Sequence, residues 1–195
     1  MSKRIFLAGI LGGLAMFLWQ SVAHMVLPFG GAGIREIPNE PAVLAAMHSA
    51  LGGASGMYLF PGQGAEGMKN YDKKLAANPS GLLIYHPPGG QGMSPVQLIV
   101  ELLTELLEAV LAVWLLSRSR AQTFGGRVGF VFTLGVVAGI ATNVSYWNWY
   151  GFPASYTANY IGMQLAGFLA AGLVAAAVLR PVKFAMYEVA TPVRR

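Results

Sequence analysis

Three carboxylates share one face of a single apolar stretch. Glu101, Glu105 and Glu108 lie within residues 95–117, whose other side chains are mostly Leu, Ile and Val. At 100° per residue, positions i, i+4 and i+7 fall within about 60° of one another, with Gln97 and Thr104 on the same side. Carboxyls gathered in this way titrate as a coupled set. They suit a proton, a cation or a hard metal ion. The opposite face of the same helix suits lipid.

Other polar residues are expected at a similar depth. Gln20 and His24 close the first apolar run, Asn143 (with Thr142 and Tyr146) the third, and Tyr160 and Gln164 open the fourth. Glu101, Glu105, Glu108, Gln20, His24, Asn143, Tyr160 and Gln164 are therefore the candidates for an intramembrane ligand or ion pocket. The plainer alternative is a hydrogen-bonded cluster that glues helices together in lipid. Di-iron bundles combine Glu with Glu-x-x-His pairs on facing helices. Here Glu105-x-x-Glu108 lacks His, and no other apolar run carries a carboxylate. No metal is assigned, haem ligation by His24 lacks a second intramembrane His, and the sequence specifies no cofactor.

Outside the apolar runs, Glu40 and His48 stand two turns apart on an expected short helix, and His86 follows an expected strand. Together they could form a metal or acid–base site at a membrane surface; the plainer reading is exposed histidines on a small cap. Ser49 and Ser55 do not match a nucleophile elbow. The Gly-rich pieces at 62–67 and 89–92 lack the strand–loop–helix context and the Lys of a phosphate loop. They read as turns.

The elements that must position these groups follow from composition and hydropathy. The chain of 195 residues is 55% hydrophobic and only 11% charged, against about 25% charged in soluble domains. Runs at 5–27, 95–117, 128–147 and 158–179 each approach the roughly 20 residues that span a bilayer. The expected fold is an all-α integral membrane protein, a four-helix bundle forming one domain over 1–195. A Gly/Pro-rich extracytoplasmic cap at 28–94 carries a helix near 41–51 and a two-strand hairpin from 56–62 and 81–87. The segment 66–78 between these strands holds a short helical turn. Residues 41–60 are too polar for a further span, and one there would invert the connector basic residues Arg118, Arg120 and Arg127.

The basic residues flank the apolar runs: Lys3 and Arg4 before the first, the connector arginines after the second, and Arg180, Lys183, Arg194 and Arg195 after the last. This places both termini in the cytoplasm. Such scattered charge, net +5, is not a nucleic-acid footprint. Ser21-Val22-Ala23 also resembles a signal-peptidase site, so a cleaved first segment is the rival reading. With no cysteine, disulfides and thiolate chemistry are excluded.

An ionised group at a helix centre costs about 2.5–3.5 kcal/mol to insert, so three ask for about 7–10 kcal/mol; the apolar residues of 95–117 return about 4–7 kcal/mol. This helix therefore needs partners. The general form resembles small four-span proteins of the bacterial inner (plasma) membrane, without a motif that fixes a family. The expected function is binding or moving a small polar ligand, proton or cation. The alternatives are a non-catalytic subunit whose acidic face packs on a partner protein, and an enzyme acting on a lipid or quinone at the outer interface. The expected partners are the lipid bilayer and a second copy or another membrane protein.

Overall fold

The computed structural model describes residues 1–90 and 92–179; Arg180, Lys183, Arg194 and Arg195 lie outside them. The order is α1 (Lys3–Met25), α2 (Glu40–Leu51), β1 (Gly56–Phe60), a 3₁₀ segment (Gly64–Asn70), α3 (Tyr71–Ala77), β2 (Gly81–Tyr85), α4 (Pro95–Leu116), α5 (Phe124–Gly139), a π turn (Ile140–Val144), α6 (Ser145–Tyr150) and α7 (Ala154–Val178). Three helices are long and apolar enough to cross a membrane: α1, the continuous helix Phe124–Tyr150, and α7. The 22-residue α4 is of similar length but carries the three carboxylates.

Local chemistry explains the helix starts. The Ser2 hydroxyl accepts from Ile5 N–H at 3.4 Å, and Thr123 Oγ1 from Gly126 N–H at 3.0 Å. At α4, Ser94 Oγ accepts from Gln97 N–H while Gln97 Oε1 accepts from Ser94 N–H at 2.7 Å. This is a reciprocal cap followed by Pro at the first helical position.

The long helices form a row rather than a closed bundle. α1 packs on α4 on one side and α7 on the other, and α7 packs on α5; α4 meets α5 and α7 only slightly. Small residues let the backbones approach. A Cβ at Gly9 would sit 2.7 Å from Val110 Cα, and one at Gly13 equally close to Leu106 Cα. Gly135 meets the Phe168 ring in the same way. By contrast, Gly162 faces open space.

All four helices contribute to one core at the end where α1 begins: Met16, Ala109, Ala112, Leu116, Val131, Phe168 and Ala171. Arg127, 6% exposed, closes this end. Its guanidinium donates to the Leu179 carbonyl, and its Nε to Ala121 O at 3.4 Å. It thereby satisfies a carbonyl at the end of α7 and draws the connector in. At the opposite end the helices separate.

The cap follows its expected elements. β1 and β2 pair antiparallel from Gly56↔Tyr85 to Phe60↔Gly81. The Tyr58 and Tyr85 hydroxyls donate to the Ala54 and Gly52 carbonyls, each at 2.9 Å, tying one face of this marginal two-strand unit to the end of α2. The 12-residue α2 ends at Gly52, whose φ of +57° turns the chain into β1. Residues 41–60 are thus a helix and a strand.

Candidate functional site

Where the row opens, a cleft of about 650 Å³ lies between the ends of α1, α4 and α7. From α1 come Phe17, Gln20, Ser21, His24 and Met25; from α4 Gln97, Leu98 and Glu101; from α7 Tyr160. Gly92 and Met93, just before α4, complete the wall. Phe17, Gln20, Ser21 and His24 stand at i, i+3, i+4 and i+7, one continuous face of the helix.

Each polar group is set by its neighbours. His24 Nδ1 lies 3.0 Å from Gln20 O. A carbonyl only accepts, so Nδ1 carries the proton and Nε2 of the neutral ring is an acceptor. The imidazole meets Tyr160 edge-on, with centroids 5.8 Å apart. The chain after α1 turns back over it: a Cβ at Gly30 would lie 3.0 Å from His24 Cδ2, and one at Gly33 (φ +81°) 2.8 Å from Tyr156 Cβ. Glycine is needed at Gly33, where φ is positive and the space is filled, and leaves room for the His24 ring at Gly30.

Glu105 lies behind the cleft wall. It is 5% exposed and interacts with the side chain of Gln20. Glu105 Oε2 and Gln20 Oε1 are both buried without a hydrogen-bond partner. The Gln20 amide hydrogen-bonds the other side of the same carboxyl, so the pair is only partly satisfied. Glu101 is exposed to the cleft, and Glu108, half-buried, lies one turn beyond Glu105 and outside the cleft lining.

The remaining candidates are distributed elsewhere. Asn143, in the π turn, donates to Gly139 O at 3.2 Å and lies 3.5 Å from Gln164 Oε1. These two residues link the helices on the α5 side of α7 and do not line the cleft. The side-chain insertion accounts for the local π geometry. Glu40, His48 and His86 are exposed on the cap. Among the described residues no three His, Asp or Glu are grouped to hold a metal ion.

Sequence reasoning missed the apolar part of the lining and the order of the aromatic residues. Phe17 and Ser21 were legible from their spacing to Gln20 and His24. The aromatic residues form a chain of rings: Tyr150, Tyr146, Phe152, Tyr156 and Tyr160, ending on His24. Tyr156 and Tyr160 stack at 4.4 Å. This chain fixes the α7 wall of the cleft. Comparison with protein-family models, curated proteins and solved structures returns no match, so the site is interpreted from its own geometry.

Proposed function

We propose that the chain is a four-span membrane protein, with both termini in the cytoplasm, that binds or moves a small polar ligand, proton or cation through the cleft between α1, α4 and α7. The observation that carries this reading is the cleft itself: Gln20, His24, Glu101 and Tyr160 converge on it, and Glu105 lies behind Gln20. A concave, largely apolar site with a few convergent polar groups is the usual form of a ligand pocket.

Membrane insertion is supported by the outward faces. Phe6, Leu7, Leu18 and Val22 on α1, and Ile99, Leu103, Leu107 and Leu111 on α4, are exposed; in water such bands would drive aggregation. With α4 as the fourth span, its 22 residues cover about 33 Å. The chain has no cysteine, so topology is directly testable. A membrane-impermeant maleimide should label Ser55→Cys and Gln122→Cys from opposite sides of sealed vesicles; labelling from one side overturns the four-span reading.

The function is tested by infrared difference spectroscopy of the full chain in lipid. Addition of Na⁺ or candidate polar ligands should perturb carboxyl bands, and Glu101→Gln should reduce the response about tenfold or more. A folded protein whose carboxyl bands ignore every cation and ligand overturns the reading. Glu108 supports a second reading, in which the acidic face of α4 meets a partner membrane protein or a second copy. This half-buried carboxylate is outside the cleft. In that case Glu108→Gln should weaken the assembly in native-lipid extracts and leave the carboxyl response intact.

A further inference from the structure

The chemistry of the cleft narrows the class of ligand, on the footing that the cleft is a binding site. Its volume of about 650 Å³ lies within the range of drug-sized pockets. That is far more room than a proton or a bare metal ion requires. Phe17, Met25, Met93 and Leu98 make much of the wall apolar. The α1–α4 side of the cleft combines acceptors with the Ser21 hydroxyl and the Gln97 amide N–H groups. Its acceptors are Glu101, acceptor-only when ionised, and His24, which offers Nε2. Gln97 Oε1 is already engaged by Ser94 N–H. Among the described residues that line the cleft none is Lys or Arg, so an anionic ligand would find no cationic partner and would face Glu101.

Behind the cleft wall a second carboxyl adds negative character to the same region. Glu105 is 5% exposed, interacts with the cleft-lining Gln20, and has an oxygen without a partner. A primary ammonium carries three N–H donors and no acceptor. The rings of Phe17 and Tyr160 supply a surface that attracts a cation and also packs an apolar body.

We infer that the cleft takes a primary organic amine with an apolar, preferably aromatic body. The ammonium is held between Glu101 and His24, and the body lies along Phe17, Leu98 and Tyr160. A quaternary ammonium lacks the N–H donors and binds more weakly. A neutral molecule of the same shape gains the apolar contacts alone.

The test uses the full chain in phosphatidylcholine nanodiscs, with empty discs as the partitioning control. Binding of phenethylammonium, phenethyl alcohol, phenethyltrimethylammonium and Na⁺ is measured by calorimetry and by saturation-transfer NMR. Phenethylammonium should bind about tenfold or more tightly than the alcohol and more tightly than the quaternary analogue. Glu101→Gln, at an exposed position that folding does not depend on, should remove the preference over the alcohol. Ser21→Trp, which fills the cleft, should abolish amine binding. Equal binding of amine and alcohol overturns the inference and leaves a ligand-binding cleft. Binding of Na⁺ without the amine overturns the inference while the proposed function stands. If a folded protein binds none of the four, and its carboxyl bands ignore every cation and ligand, both fall.

Discussion

Gly13→Leu is expected to force α1 and α4 apart and abolish ligand binding. Even the first added carbon has no room: a Cβ at Gly13 would lie 2.7 Å from Leu106 Cα and 2.9 Å from Glu105 O. These are backbone atoms of a packed helix and do not swing aside as a side chain would. Overpacking of this kind costs about 1–3 kcal/mol. The larger consequence is geometric, because Gln20 and His24 ride on α1 and Glu101 on α4, so separation widens the cleft that needs all three. The control is Gly162→Leu, where nothing lies within 4 Å and the change should stay within about 0.5 kcal/mol. Thermal unfolding in detergent and the binding assay together check the pair. Equal tolerance at the two glycines would mean that α1 and α4 do not meet as described.

Glu105→Leu is expected to preserve or raise stability while removing the ligand response. A polar atom buried without a partner costs about 1–3 kcal/mol, and Glu105 Oε2 is such an atom. Leucine of similar bulk removes that cost and adds apolar contact in a helix already rich in it. Part of the gain is offset because the Gln20 amide then loses its carboxyl partner. Glu105→Leu with Gln20→Leu should therefore be the more stable variant, and equally inactive. A site that carries a stability penalty for the sake of binding behaves in this way. A helix glue behaves in the opposite way: Glu105→Leu would lower the unfolding midpoint and leave binding unchanged. Measuring both quantities on the same preparations separates these roles.

Much of the framework was legible in particular residues. Pro95 and the apolar run behind it announced α4, and Gly52-Gly53 the end of α2. The runs at 56–62 and 81–87 announced the hairpin, which pairs over Gly56–Phe60 and Gly81–Tyr85. These are local signals, arising from backbone preference, capping and alternation within a few residues. Gly9 and Gly13, four residues apart, put two small residues on one face of α1. Their partner was not legible: α4, which they touch, is separated from them by the entire cap.

The site shows the same division. Periodicity set Glu101, Glu105 and Glu108 on one face of α4, because the angle between them depends on one helix alone. It could not separate their environments. Tertiary packing buries Glu105 against Gln20, opens Glu101 to the cleft and leaves Glu108 beyond it. Asn143 and Gln164 were expected at the same depth as the acidic stripe, yet α5 meets α7 on its other side and they join each other there. Arg127, read as a basic connector residue, is drawn inward by the Leu179 carbonyl at the end of α7 and by Ala121 O of the connector.

By itself the sequence determined the apolar helices and the face that carries the carboxylates, since each depends on neighbours along the chain. Only the tertiary structure decided that the helices stand in a row, open at one end, with Gln20, His24, Glu101 and Tyr160 around one cleft. That arrangement depends on which small-residue stripe meets which helix, a choice made by backbone approach across distances that no local pattern encodes.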